Sequence, residues 1–583
     1  MDERDTVSHQ PSTRPGWLQT HVPIVGWGRR YRPAWLGRDV VAGLTLWGLV
    51  VPEGMAYAGI AGMPPEAGLY TAMAALIAYA IFGSSRQLVV VGTSATAALL
   101  AGTVAALNPQ DAQIYAAYAG ALVLLVGLMF VLAGLAKLGF IAQFLSRPVM
   151  EGFVLGLAIF VAVGQLNKLF GVEKGQGNVP QKLWHVLTEL GEANWWSFVV
   201  GIAALAALFL LPHLSKRLPG GLVVLGGGIL LSAALDLAGN HDVEVVGTLP
   251  SGLPSPGLPH VGVDALWTLV PAAIGIMLVS YSEALGVAGS LANKHGYDID
   301  PNQELLAHGV ANLASGALGG LAAGGSMSSS AVNDGAKARS QVSGLSASVF
   351  VVVTILFLTP IFKDLPESVL AALIIHAVSH LMSVDNLVKV RRLAPAEFWM
   401  GILALAGVLL IDVLEGLVIA MLASLLLVIY RSSRASVTAL GRVPGSADSV
   451  STMVRNPEAV PIDGVLIVRA DEPVYYANVV SNRDAVKDLV RSTIPQVRTV
   501  VFDPQTQHDL DFTTVEVLTE LLDWLEARGI DIYVIATHSD LVAIAEHAGI
   551  IHLRGRVHLA PTLHEVLAQL GGDHPAGPMA PNP

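Results

Sequence analysis

The chain has 583 residues, 53% of them hydrophobic and 13% charged, with a mean hydropathy of +0.60. This balance excludes an ordinary soluble domain and places the chain among membrane proteins. A formal charge of -12 excludes a general nucleic-acid-binding character, and the lack of cysteine excludes disulfides, thiolate metal sites and cysteine nucleophiles.

The N-terminal stretch MDERDTVSHQPSTRP is polar and has no apolar h-region, so no signal peptide is expected there, and residues 1–38 read as a cytoplasmic segment. Apolar runs then recur from about Val40 to Tyr430, among them Ala116 to Ala136, Phe198 to Leu211, Leu222 to Leu237, Val349 to Phe362 and Met400 to Ile429. A run of about 20 residues crosses roughly 30 Å of hydrocarbon as a helix. Met400 to Ile429 is too long for one crossing, and Asp412 and Glu415 read as a tight turn between two helices.

Short cytoplasmic loops concentrate Lys and Arg, which tests the helix count. With the N-terminus inside, Arg29, Arg30, Arg32 and Arg38 precede helix one, and Arg86 follows helix two. Lys137 and Arg147 follow helix four, Lys216 and Arg217 helix six, Lys294 helix eight, and Lys337 and Arg339 helix ten. Lys389, Arg391 and Arg392 follow helix twelve, and Arg431 and Arg434 follow helix fourteen. The loop from Asn240 to Leu266, on the opposite side, contains no Lys or Arg; Lys168, Lys174, Lys182 and Lys363 are exceptions to the rule. The expectation is a polytopic α-helical membrane domain of fourteen segments over residues 39–432, with both termini cytoplasmic.

The two halves of this domain resemble one another. VVPEGMAYAGIAG can be laid against VSYSEALGVAGSLA, setting Glu53 opposite Glu283, and VGTSATAALLAG against GGSMSSSAVNDG, setting Gly92 opposite Gly325. Seven segments per half invert one half relative to the other, the plan of many secondary transporters; the repeats run over about residues 39–238 and 264–432. GTSATAA and GGSMSSSA are rich in Gly, Ser and Thr. If each begins a half-helix inside the membrane, its free N–H groups and positive dipole end can bind an anion, helped by the hydroxyls of Thr93, Ser94, Ser326, Ser328 and Ser329. Small-residue helix packing would give the same composition, but its occurrence in both halves favours a site.

Glu53 and Glu283 are ionisable groups at membrane depth, which generally face a polar cavity; a position among the headgroups is the bland alternative. A carboxylate about 6 Å from a divalent anion, at an effective dielectric of about 20, is opposed by roughly 5 kcal/mol. Protonation removes that opposition, so Glu53 is expected to take up a proton as the anion binds. Pro52 and Gly54 are expected to loosen the first helix near the acid.

PEGMAYAGIAGMPPEAGLY, KHGYDIDPNQELLAHGVANLASGALGG and GSMSSSAVNDGAKARSQVSG, in this order, resemble three signatures of the SulP or sulfate-permease family of anion transporters, and the resemblance extends over essentially the whole chain. It implies a seven-plus-seven inverted repeat divided into core and gate bundles, with an anion site between segments three and ten. Carried over to this sequence, the site comprises Glu53 and Tyr57 on segment one, Thr93 and Ser94 at segment three, Glu283 on segment eight, and Gly325, Ser326, Met327, Ser328 and Ser329 at segment ten. Many relatives have glutamine in place of Glu53, and glutamate there is similar to proton-coupled members. Many also have arginine where this chain has Ser329, which leaves dipoles and hydroxyls as the attractive groups.

Beyond Arg434 the periodicity changes. GVLIVRA, VRTVVFD and IDIYVIA read as buried strands, alternating with the amphipathic stretches NRDAVKDLVRS, TTVEVLTELLDWLEARG and SDLVAIAEHAG. The expectation is a soluble α/β domain over residues 433–570 and a disordered tail, GGDHPAGPMAPNP, over 571–583. VYYANV and DFTTVEVL resemble a STAS domain, implying a cytoplasmic regulatory or dimer-stabilising role. Where phosphorylated relatives carry Ser or Thr after the aspartate, this chain has Phe512; Thr513 reads as a helix N-cap with capping-box spacing.

The histidines, His185, His260 and His308 among them, show no metal-ligand spacing, and no nucleophile elbow or P-loop occurs, so no enzyme is expected. Proton symport of an anion, sulfate first, through a bacterial cytoplasmic membrane is the leading reading, with no cofactor, lipid as the surroundings, a homodimer as the assembly and no nucleic-acid partner. Sodium-coupled bicarbonate transport, with Glu283 ionised beside sodium, and dicarboxylate uptake are alternatives. An uncoupled channel or voltage-responsive anion-binding protein is the alternative of a different class.

Overall fold

The structure is a computed structural model describing residues 22–140, 146–173, 175, 177–214, 220–250, 252–379, 381–382, 384–411, 413–444, 450–452, 456–507, 509–535, 543–544, 546–547 and 555–570. Lys174, Lys216, Arg217, Asp412 and the 571–583 tail lie outside the described residues, as does most of SDLVAIAEHAG. The chain divides into two compact units at residues 424 and 425.

Among the described residues up to Ser432, fourteen helices correspond to the expected segments, and the last of them runs across the division between the units. The first seven are α1 (Leu36–Ile60), α2 (Pro65–Phe82), α3 (Ser94–Ala106), α4 (Ala112–Leu135), α5 (Arg147–Gly164), α6 (Trp195–Leu214) and α7 (Gly220–Leu235). The second seven are α8 (Val263–His295), α9 (Pro301–Ala317), α10 (Met327–Gly335), α11 (Val342–Val353), α12 (Glu367–Ser379), α13 (Pro395–Leu410) and α14 (Val413–Ser432). Six of these regions are long and apolar enough to cross a bilayer alone. By contrast α3 has 13 residues and α10 only 9, so neither spans the hydrocarbon, and each is preceded by a short extended piece: β1 (Val89–Gly92) and β2 (Ala323–Ser326). The long apolar run from Met400 does break, between α13 and α14, and Glu415 falls in the first turn of α14.

The helices sort into two bundles by what they touch. α4 packs on α8 and α9, α2 on α1 and α9, and α11 on α1, while α5 packs on α12 and α13, and α6 on α7 and α12. The chain therefore forms a core bundle (α1–α4 with α8–α11) and a gate bundle (α5–α7 with α12–α14), each half contributing in the same order: the seven-plus-seven inverted repeat. Contacts of α1 with α7 and α12, and of α3 with α5, join the bundles.

The expected loosening of segment one is absent. α1 is continuous from Leu36 to Ile60 with Pro52 inside it, since a membrane helix tolerates the one lost hydrogen bond. Gly54 serves packing instead: a Cβ on Gly68 of α2 would lie 1.8 Å from the Gly54 carbonyl oxygen. At its start α1 is tied to the core by Asp39, fully buried, whose carboxylate accepts from the Arg339 N–H at 2.7 Å and the Ser340 hydroxyl at 2.8 Å.

The second unit is an α/β domain. Its six strands are β3 (Val437–Arg442), β4 (Val450–Thr452), β5 (Val465–Ala470), β6 (Thr499–Asp503), β7 (Asp531–Ile535) and β8 (Val557–Ala560), ordered β4-β3-β5-β6-β7-β8 with β5 to β8 parallel. Alternation along the strands sends Leu466, Val468 and Val500 to one core, shared with α15 (Val479–Ser492) and α16 (Phe512–Glu526), and Ile467 and Val501 to another, shared with α17 (Leu563–Leu570). Thr513 is not the cap of α16. Asp511 is, accepting from the Thr514 N–H at 2.9 Å and also from the Thr514 hydroxyl at 2.7 Å and the Tyr476 N–H at 2.8 Å. A carboxylate with three donors outcompetes a hydroxyl for this place. Burial alone would raise the Asp511 carboxyl, but the hydrogen bonds from Thr514 and Tyr476 hold it below its ordinary value.

Candidate anion site

β1 and β2 pair antiparallel in the register Val89 with Ser326, Val90 with Gly325, Val91 with Gly324 and Gly92 with Ala323. The chain leaves this ladder at Thr93 to enter α3 and at Ser326 to enter α10, and both residues are N-caps. Val91 and Gly324 each stand two places before their cap, and they pair with each other. The pseudo-twofold axis relating the halves therefore passes through that pair, and the two helix N-termini point away from one ladder at equivalent places.

Each cap follows from its residue type. The Thr93 hydroxyl accepts from the Thr96 N–H at 3.2 Å, and the Thr96 hydroxyl accepts in return from the Thr93 N–H at 3.2 Å. The Ser326 hydroxyl accepts from the Ser329 N–H at 3.2 Å and lies 3.2 Å from the Ser328 hydroxyl. In both helices the cap consumes one of the orphan donors. The N–H groups of Ser94 and Ala95, and of Met327 and Ser328, have no acceptor within their own helix, which is the anion-binding property of such an end.

Glu53 of α1 reaches the second of these ends. The hydroxyls of Ser328 and Ser329 point to its two carboxylate oxygens at 3.5 and 3.4 Å, long for such bonds. It makes no hydrogen bond to α3 among the described residues. Tyr57, one turn further along α1, is buried, as are Thr93, Ser94, Ser326 and Ser329, whereas Ser328 and Met327 are exposed, Met327 by 68%. The mouth of α10 thus opens to accessible space while its floor is enclosed. Gly325 lets β2 press on α8: a Cβ there would lie 2.5 Å from the Ala284 Cα. Glu283, next in sequence to Ala284, is half-buried and makes no hydrogen bond or ion pair among the described residues. The structure brings Glu53 onto the α10 terminus and holds Glu283 beside the ladder without a bond to either end.

Several residues that hold this arrangement escape a sequence reading. The Thr96 hydroxyl donates to the Ala322 carbonyl at 2.8 Å, and the Thr71 hydroxyl accepts from the Leu321 N–H at 2.6 Å. The Ser330 hydroxyl accepts from the Val89 N–H at 2.9 Å, tying α10 back to β1. For Thr71 and Thr96 the signal is a polar side chain on a largely apolar, buried helix face, which small-residue packing also produces; Ser330 shares the buried face of α10 with Ser329 and Asn333 and does not stand out. Among the described residues no group of three His, Asp or Glu side chains is placed to hold a metal ion.

Two half-helices opposed across a short ladder, inside a two-bundle inverted repeat, define a class of multi-pass membrane transporters. The Sulfate permease family profile matches residues 36–406, and a STAS domain profile matches residues 456–566. A probable sulfate transporter of Mycobacterium tuberculosis is 32% identical over 551 residues, covering 94% of this chain and 97% of the relative. The solved structure of the murine Solute Carrier 26 family member A9 anion transporter, in the inward-facing state, superposes with a TM-score of 0.88 at 22% identity over 98% of this chain and 97% of that one. The transmembrane domain of a cyanobacterial bicarbonate transporter, BicA, gives 0.60 at 23% identity over 68% of this chain and 98% of that one. The chain belongs to the sulfate permease family of anion transporters and carries a C-terminal STAS domain.

Proposed function

We propose that this chain carries sulfate across a bacterial cytoplasmic membrane by alternating access, with one proton entering alongside through Glu53. The anion lies between the α3 and α10 termini, held by N–H groups and by the hydroxyls of Thr93, Ser94, Ser326, Ser328 and Ser329, with Tyr57, Gly325 and Met327 shaping the space. Sulfate is favoured by the mycobacterial relative's name. The N-terminus and STAS domain are placed in the cytoplasm by the Lys and Arg pattern, and a homodimer is the assembly.

The observation that carries the coupling is the contact of Glu53 with Ser328 and Ser329. A serine hydroxyl has one proton to donate. While Glu53 is ionised, these hydroxyls turn to it and present lone pairs to the anion site. Once Glu53 is protonated it donates its one O–H and accepts more weakly through the other oxygen, so the hydroxyls are released to turn toward the anion. Proton and anion thus bind together. In proteoliposomes, sulfate uptake by the native chain is expected to follow an inward proton gradient, and Glu53→Gln to lose that dependence while still exchanging sulfate. Full gradient dependence in the variant would overturn the assignment.

A second reading is sodium-coupled bicarbonate transport. It is favoured by the likeness to BicA and by the unpaired state of Glu283, which leaves both its oxygens available to a cation. Uptake driven by bicarbonate and sodium, with no response to sulfate or a proton gradient, would select it.

A further inference from the structure

Among the buried polar side chains of α9 are Glu304 and Asn312, 1% and 0% exposed, which the anion site does not use directly. Glu304 Oε1 accepts from the Ser84 N–H at 2.9 Å, the Ser84 hydroxyl at 2.7 Å and the Ser85 N–H at 3.2 Å, and Oε2 accepts from the Tyr79 hydroxyl at 2.8 Å. These donors are the end of α2 and the turn that leads into β1. Asn312, two turns further along α9, reads both sides of one residue of β2: its Oδ1 accepts from the Ala323 N–H and its Nδ2 donates to the Ala323 carbonyl, each at 2.9 Å. Between them His308 donates through Nδ1 to the Glu304 carbonyl at 2.8 Å and stacks on Phe130 with ring centroids 5.6 Å apart, fixing the helix rotation.

We infer that α9 is the strut that sets the gap between the two opposed helix termini, with Glu304 and Asn312 as positioning residues for anion binding. One rigid helix holds the approach to β1 at one place and β2 at another about 12 Å along its axis, so the ladder cannot slide without breaking one of the two attachments. The turn before β1 has other partners, since Gln341 Nε2 donates to the Ser85 and Leu88 carbonyls and Asn333 Nδ2 to the Gln87 carbonyl. Those are carbonyl-side bonds, and the Tyr297 hydroxyl adds a bond from the Arg86 N–H at 3.2 Å and contacts with the Ser85 hydroxyl and Gln87 Oε1. Both consecutive N–H groups, of Ser84 and Ser85, go to Glu304. The role is geometric, because the three donors from the turn all converge on Oε1. An amide oxygen at that place keeps them, and the Tyr79 hydroxyl can accept from the amide nitrogen beside it.

The inference rests on the anion site proposed above, and its test separates the two. Binding and uptake of sulfate are measured on the full chain in proteoliposomes, together with hydrogen exchange of residues 84–93 recorded without any anion. Glu304→Gln is expected to keep KM within about threefold of the native chain. Glu304→Ala is expected to raise KM by about tenfold or more, through the lost hydrogen bonds and the buried donors left unpaired, and to speed exchange over 84–93. If Glu304→Ala does not insert, the double variant Tyr79→Phe with Ser84→Ala removes only the side-chain tethers and is expected to raise KM about threefold. A fall in maximal rate with KM unchanged would mean simple loss of folded protein and overturn the inference, as would a Glu304→Gln variant as impaired as Glu304→Ala. A native chain that neither binds nor moves sulfate would overturn the substrate reading, while faster exchange in Glu304→Ala would still support the strut.

Discussion

Replacing Glu53 by glutamine makes an equilibrium prediction that is sharper than any transport rate. Its carboxylate oxygen lies 3.4 Å from the Ser329 hydroxyl, and an anion oxygen accepting from that hydroxyl would stand about 2.7 Å further, so the charges are about 6 Å apart. At an effective dielectric of about 20, a divalent anion and an ionised Glu53 repel by roughly 5 kcal/mol, or nearly four decades in Kd. An energy of that size makes proton uptake obligatory at every pH between the titration of the free protein and that of the complex. Linkage then requires the Kd for sulfate to rise about tenfold per pH unit wherever the free protein is ionised at Glu53 and the complex is not. In Glu53→Gln the slope falls to zero, at an affinity near that of the native chain at low pH. Binding of radiolabelled sulfate to protein in nanodiscs across pH 5 to 8 measures both lines. The reasoning fails if the native slope is flat, or if the variant keeps a slope near one, which would move the proton to another group.

The fold was legible because its signals are redundant. Recurrent apolar stretches, a charge pattern alternating between loops and motifs in both halves all speak to one architecture. The equivalence of Thr93 and Ser326 could also be read, because the repeat that sets Gly92 opposite Gly325 carries one place further along both halves. What could not be read is whatever depends on two distant backbones meeting. Pro52 looked set to loosen its helix, yet α1 runs unbroken through it, since neighbouring helices decide whether a proline opens a helix. Asp511 displaced Thr513 as a cap because the Tyr476 N–H arrives from another loop, and no local spacing reports that. Strands β3, β4 and β8 were missed because they are short and only partly apolar, and are made strands by their neighbours. Glu304 lay in plain view inside a signature, but its five contacts come from residues some 220 positions earlier in the chain.

Two further predictions concern places where the halves, or two similar side chains, part company. Gly92 and Gly325 are equivalents in the repeat, yet a Cβ on Gly92 would meet nothing nearer than Leu321 Cδ1 at 3.6 Å, while one on Gly325 would lie 2.5 Å from the backbone of α8. Gly92→Ala is therefore expected to transport at near-native rate and Gly325→Ala to lose uptake by more than tenfold while still inserting, as checked by uptake normalised to purified protein; equal behaviour would refute the close approach. In the STAS domain, Asp511→Ala is expected to cost about 1 to 2 kcal/mol locally, read as roughly five- to thirtyfold faster hydrogen exchange in the first turn of α16, whereas Asp511→Asn keeps most of the protection because an amide oxygen still caps. The acid dependence separates these variants. The Asp511 carboxyl is held below its ordinary 3.8 in the folded chain, so its contribution is complete above that value and is lost as pH falls below it, through the depressed value. Protection of this turn, corrected for intrinsic exchange, should stay level from pH 7 to 5 and fall in acid for the native chain, but not for Asp511→Asn. A loss beginning near pH 6 would assign the cap's pH dependence to some group other than Asp511.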